Sequence, residues 1–324
     1  MTTPFPLLRL PRLALIAVFE HMKPIDLIAL SLLSNKAKNL VKMLCKISAG
    51  SINIAVCSDY PRIKVALIDA ISVGLYLSTE RVADVDNMMF QNETISCKKG
   101  FIPVAKLVER IVSVTSFESL EFVVLRGPLQ LEVCDTLAQL TNLGKLSVMD
   151  DCLDSFAKKA LEIVSKVTTE ISLYRIPFEN KEEFQTFLKS NLNYLNINSD
   201  FSKVTLDDLL VTNAFKVTLR EVMLSATDIS QFLTNWFHSK CNSRLEHLKL
   251  CTLGGINETC LPEVLKAVPF PRDRKRAFHY SKQLDTLSES FSGGYDIRRA
   301  DGKKATIVFV TFIGRSFIDF YFWR

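Results

Sequence analysis

Apolar residues recur at helical spacing near the start of the chain. Leu15, Val18, Phe19 and Met22 form one run, and Ile25, Leu27, Ile28, Leu30 and Leu33 form the next. Spacings of three and four place such residues on one face of a helix, so the pattern predicts two or three short helices. Pro24 suits the first turn of the second helix, where its missing N–H costs nothing, and Ser34 or Asn35 suits the break before a third helix through Leu40 and Leu44. From residue 119 the period changes. A block of the form Leu-x-x-Leu-x-Leu, with other apolar residues allowed at the marked places, starts at Leu120, Leu143, Thr168, Leu192, Leu219 and Leu245, at separations of 23 to 27 residues. Helix-like stretches at 155–166, 181–189 and 228–240 lie between blocks. A strand followed by a helix cannot bury its apolar edge alone, so this period predicts stacked units. The expected fold is α+β or an α/β solenoid: a helical N-terminal unit, an irregular leucine-rich-repeat-like array and a β-rich C-terminal cap.

Strand side chains alternate, so if the marked apolar positions point inward, the residues between them lie on the opposite, concave face. Phe122, Arg126, Tyr174, Tyr194, Asn196, Arg220, Met223, His247 and Lys249 fall there. Aromatic, Met, Arg and amide groups are the residue types that make protein-binding hot spots, and these nine are the candidate contacts to a target.

Past the array, Pro262 and Pro271 bound a change of texture, and the basic run Arg272 to Arg276 reads as a solvated loop. Asp301-Gly302 between two alternating segments predicts a hairpin with a two-residue turn, and Phe317 to Trp323 predicts a further strand. Gly293-Gly294 lacks the Lys-Ser/Thr and helix start of a phosphate loop.

Composition narrows the function classes. The chain has 324 residues, 48% hydrophobic and 23% charged, which suits a folded protein with a continuous core. A net charge of +5 spread along the chain does not point to nucleic acid, which calls for a concentrated basic stripe. Eight scattered cysteines without a C-x-x-C pair suggest free thiols in a reducing compartment. The apolar runs at 13–19 and 305–313 are too short for a membrane span, and the first lacks the features of a signal peptide. No G-x-S-x-G, H-E-x-x-H or Walker sequence occurs, and His238, Cys241, His247 and Cys251 do not follow the spacing of a standard zinc finger. No catalytic residue, metal or cofactor is expected.

The stretch PFPLLRLPRLALIAVFEHMKPIDLIALSLLSNKAKNLVK resembles an F-box, in the form found in the nematode F-box B family. The stretches VTLREVMLSATDISQFLTNWFHSKCNSRLEHLKLC and GGYDIRRADGKKAT resemble parts of the F-box-associated (type 2) region of the same family, which there is regarded as the substrate-binding part. Leu13 and Ala37 depart from the general F-box pattern, standing where an acidic residue and a tryptophan are common. The resemblance implies a substrate-receptor subunit of a Skp-cullin-F-box ubiquitin ligase that does no chemistry itself. Leu10, Pro11, Leu15, Val18, Phe19, Leu27, Leu30 and Leu33 would form the surface for a Skp-type adaptor, and the packing between helices, with a cullin joined through that adaptor. Such a protein would be cytoplasmic or nuclear. The implied organisation is an F-box at 1–45, a linking segment with the first solenoid units at 46–118, the repeat region at 119–260 and the cap at 261–324. A repeat-built scaffold acting outside any ligase, and a thiol- or metal-dependent hydrolase, stand as the alternatives.

Overall fold

A computed structural model describes residues 7–45, 47, 49–56, 62–67, 72–78, 93–98, 104–115, 120–127, 134, 137–138, 143–198, 204–253, 255–284 and 288–323. Over 49–98 and 120–122 the description is of the backbone. The chain divides into two compact units, residues 1–143 and 144–324.

The first unit opens with helices α1 (Arg12–Glu20), α2 (Pro24–Leu33) and α3 (Asn35–Leu44). Pro24 stands in the first turn of α2, and the Ser34 hydroxyl accepts from the Ala37 amide at 3.1 Å to cap α3. Three helices this short bury too little surface among themselves. A fourth helix, α4 (Val104–Val114), packs on α2 and α3 and adds Ile111 and Val114 to a core of Leu15, Phe19, Ile28, Ala37 and Val41. Its buried Arg110 donates to the Leu32 carbonyl at 2.5 Å and to Asn35 Oδ1 at 3.1 Å, supplying donors to the open carbonyl end of α2. Strands β1 (Ala49–Val56), β2 (Arg62–Leu67), β3 (Ser72–Ser78), β4 (Glu93–Lys98) and β5 (Leu120–Leu125) lie in the order β5-β1-β2-β3-β4. The ladders β1/β2 and β2/β3 are antiparallel. The described residues of segment 46–118, expected to hold a link and the first solenoid units, include these antiparallel ladders, the parallel pairs β1/β5 and β3/β4, and a helix that packs on the N-terminal bundle.

The second unit begins with strands β6 (Leu143–Val148), β7 (Thr168–Leu173), β8 (Leu192–Ile197), β9 (Ala214–Val222) and β10 (His247–Thr252), side by side in chain order. Helices α5 (Asp154–Val164), α6 (Lys181–Leu188), α7 (Leu206–Val211) and α8 (Ala226–Phe237) occupy the crossovers, and the ladders from β7 to β10 are parallel. Strands β6, β7 and β8 share one burial pattern, with the first, fourth and sixth residues enclosed as the block pattern requires. Local chemistry starts the helices. Asn180 caps α6, and Thr205 with Asp208 and Ser225 with Asp228 form reciprocal capping boxes on α7 and α8.

Beyond β10 come β11 (Val268–Pro269), β12 (Lys275–His279), β13 (Ser288–Ser292), β14 (Tyr295–Arg298), β15 (Lys304–Phe312) and β16 (Arg315–Phe322). Strand β16 pairs antiparallel with β10, and β15, β14 and β11 follow outward. Phe232 and Trp236 of α8 pack on Phe320 and Phe322 of β16, with ring centroids 5.9 and 5.5 Å apart, so the helix layer continues over the added strand.

Two expectations are corrected here. The turn after β14 holds three residues rather than two: Arg299 N–H donates to the Lys303 carbonyl at 2.7 Å, Gly302 N–H donates to Arg299 at 2.9 Å, and Gly302 takes φ +90°. The run Arg272–Arg276 is not all loop, because Lys275 begins β12, which pairs antiparallel with β13 as a separate ribbon.

Candidate protein-interaction surfaces

Six of the eight apolar residues expected to serve adaptor binding and helix packing are covered to some degree by their own unit. Leu15, Phe19, Leu27 and Leu30 are buried in it, while Leu10 and Val18 are half-buried. Only Pro11 and Leu33 are exposed. The first four therefore stand in the packing between helices, the second of the two roles expected of this set, in a bundle that α4 completes by packing on α2 and α3. Among the described residues, Leu13 at 82% exposure, Leu33 at 69% and Met43 at 65% are the large apolar side chains the bundle leaves uncovered, one on each of α1, α2 and α3. Ala37 is fully enclosed.

On the second unit the ladder registers align one row of side chains across the sheet. Glu170, Tyr194, Lys216, His247, Tyr321, Thr306 and Asp296 are successive partners on β7, β8, β9, β10, β16, β15 and β14. Lys145 of β6 extends it through an ion pair to Glu170 at 2.6 Å. Part of this row is covered. Phe278, Tyr280 and Leu284, on or just after β12, cluster with Val308 and Tyr321, and Tyr194, Phe291 and Trp323 pack against them.

Under the ribbon His247 is fully buried, hydrogen-bonded to Asp319 Oδ1 at 3.0 Å and to the Tyr280 hydroxyl at 2.8 Å, and stacked 4.6 Å from Tyr321. The Tyr280 hydroxyl lies 2.5 Å from Glu289 and accepts from Lys216 at 3.3 Å; with His247 neutral and its Nε2–H given to Asp319, the single Tyr280 proton is shared between Glu289 and His247 Nδ1. Burial disfavours the charged forms here: it lowers the pKa of His247 and of Lys216, and it raises that of Tyr280, which Glu289 pushes further in the same direction.

The nine expected target contacts separate accordingly. His247 is internal, and so is Asn196, which donates to Ser172 at 3.2 Å. Tyr194 is half-buried, its hydroxyl 3.2 Å from Thr218 and its ring 5.2 Å from the Lys216 ammonium. Lys249 is paired with Asp319 at 3.6 Å, and Tyr174 is half-buried. Arg220 and Met223 are exposed at the end of β9, where the β9/β10 register shifts and Glu221 takes φ 56°. Arg126 is exposed in the first unit. The Phe122 side chain lies outside the described residues. Alternation correctly put His247 and Asn196 on the polar-side face, but it carried no information about the ribbon that covers part of that face.

A cleft of about 860 Å³ lies against β14, with Phe237, Leu265, Val268, Ile297 and Trp323 in its apolar wall. Five basic side chains line it, against the single carboxylate of Asp296. Arg276 forks onto Asp296 at 2.7 and 3.1 Å and lies 4.0 Å over the Phe270 ring. Burial alone would raise the Asp296 pKa, but the bonds from Arg276 and Thr306 outweigh it and hold the carboxyl below its ordinary value. Arg299 is held by Asp301. Sequence reasoning missed this cleft, because its walls come from residues 237 to 323, and only the doublet Arg298-Arg299 marks it locally.

Among the described residues no group of three or more His, Cys, Asp or Glu is placed to hold a metal. Burial pushes the Cys241 and Cys260 thiols up to about 11, the opposite of what activates a nucleophile. No helix among the described residues is long and apolar enough to cross a membrane.

Comparison with known families finds an F-box domain at residues 7–48 and an F-box associated domain at residues 183–250. The first covers α1 to α3, and the second runs from α6 to β10. No curated protein and no solved structure matches the chain. An F-box joined to an F-box associated domain fits the substrate receptors of Skp-cullin-F-box ligases in general, which are typically non-catalytic adaptors.

Proposed function

We propose that this chain is the substrate receptor of a Skp-cullin-F-box ubiquitin ligase: its F-box docks on a Skp-type adaptor and, through it, a cullin, while the region after residue 143 binds the protein to be modified. The F-box at 7–48 carries the reading. In support of it, Pro11, Leu13, Leu33 and Met43 stand exposed on the F-box helices and their N-terminal flank, apolar surface that a partner would cover. The second unit would supply the platform: its strands lie side by side in chain order with helices in the crossovers, which supports reading it as a leucine-rich-repeat-like array with a β-rich cap. On this reading the chain works by recruitment, raising the local concentration of target near the conjugating machinery without chemistry of its own. A cytoplasmic or nuclear location goes with that role.

The test is co-elution of the full chain with a Skp-type adaptor on gel filtration, beside Leu13→Asp and Leu33→Asp. Burying a leucine contributes about 1.5–3 kcal/mol, so each substitution at a contact should weaken the complex roughly tenfold or more. Leu15→Asp is unsuitable, since Leu15 is core and its loss would unfold the bundle. An adaptor that ignores the parent chain, or binds both variants as well as the parent, overturns the proposal.

A further inference from the structure

Strand β11 pairs with β14 only at Val268↔Asp296 and Pro269↔Tyr295. On its N-terminal side the chain turns away at Lys266, whose backbone takes the left-handed conformation at φ 47°. The outer edge of β14 beyond Asp296 therefore has no strand partner among the described residues, and the cleft opens along that edge. An unpaired strand edge presents backbone donors and acceptors that another extended chain can use.

The charges around this edge are unbalanced. Arg298 and Lys304 are direct cross-strand partners, both exposed, and neither forms a close ion pair among the described residues; the same holds for Lys266. Like charges directly opposite on a ladder repel, and the nearest carboxylate, Asp296, feels Lys304 but is itself held by Arg276, so the pair is not fully balanced. Arg276 and Arg299, by contrast, already hold Asp296 and Asp301. Apolar groups stand next to these exposed cations: Val268 is 62% exposed, and Ile297 and Trp323 line the same cleft.

We infer that this cleft binds an extended acidic peptide segment, which adds alongside β14 with Asp or Glu side chains facing Arg298, Lys304 and Lys266 and an apolar side chain against Val268 and Trp323. The inference rests on the receptor reading only for the source of the peptide, a segment of the recruited target. Alternation in an added strand sends every second side chain toward the cations, so the preferred sequences carry acids at alternate positions.

The test pans a displayed library of random dodecapeptides against the full chain and, in parallel, against Arg298→Glu/Lys304→Glu. Both positions are exposed, and tryptophan-monitored urea unfolding of the variant verifies that its fold is kept. Selection of alternating acidic residues by the parent, lost or reversed in the variant, supports the inference. A selected peptide, fluorescein-labelled, should then bind the variant at least about tenfold more weakly, and should weaken on the parent as NaCl rises from about 50 to about 500 mM. Absence of acidic enrichment, or the same enrichment on both proteins, overturns it. The parent's co-elution with the Skp-type adaptor is read separately: failure there together with acidic selection by the parent would remove the ligase reading and leave the cleft standing.

Discussion

Replacing His247 with leucine removes two hydrogen bonds, at 3.0 Å to Asp319 and 2.8 Å to Tyr280, from a site with no solvent access. Asp319, with its side chain 12% exposed, keeps only the contact to Lys249 at 3.6 Å on this face, while Tyr280 keeps Glu289. Hydrogen bonds to charged groups contribute about 1.5–3 kcal/mol, and the added apolar volume offsets part of that, so a net loss of about 2 kcal/mol at pH 7.5 is expected. The loss should depend on pH in a defined direction. Burial holds the folded-state pKa of His247 below 6.5, against the pull of Asp319 and Glu289 and with help from Lys216. The unfolded chain therefore takes up a proton near pH 6.5 that the folded chain refuses, so the histidine's contribution is complete above that pH and shrinks as pH falls toward the folded value. At pH 5.5 the parent should have lost up to about 1.4 kcal/mol from this group, and the gap to His247→Leu should narrow by that amount. Urea unfolding followed by intrinsic fluorescence suits the measurement, since both tryptophans, Trp236 and Trp323, lie in residues 144–324. A variant within about 0.5 kcal/mol of the parent at pH 7.5, or a gap that widens on acidification, would refute the account of a neutral buried imidazole holding the ribbon to the sheet.

Two further outcomes follow from the packing. Gly294→Ala would place a Cβ 2.3 Å from the Ile307 carbonyl at φ +110°, whereas Gly302→Ala at φ +90° meets open space. Fluorescence-monitored unfolding should give at least about 3 kcal/mol of destabilisation for the first and about 1 for the second, and equal losses would contradict the close approach of the two backbones. Arg110→Met leaves the Leu32 carbonyl and Asn35 without their donor. Hydrogen exchange over residues 24–44 should quicken about 30-fold, corresponding to about 2 kcal/mol, and unchanged protection would show that α4 does not secure the bundle.

Much of the architecture was determined by the sequence alone. The three- and four-residue spacing up to Leu44 set the first helices, and Pro24 and Ser34 set their boundaries, because capping and proline geometry act within a few residues. The blocks beginning at Leu120, Leu143, Thr168 and Leu192 coincide with β5 to β8, since alternation is a property of each strand by itself. Tertiary structure decided what covers each face. Helix α4 reaches back to pack on α2 and α3, and Leu15 and Phe19 of α1 are core rather than open surface. Strands β12 and β13 carry mostly polar residues, with Phe278 and Phe291 as their large apolar side chains, and gave no periodic signal. Yet they bury His247 through Tyr280, 33 positions away in sequence. A hydrophobic period states which side of an element is apolar. Whether the opposite side meets water or another part of the chain depends on contacts between distant residues, which only the folded chain brings together.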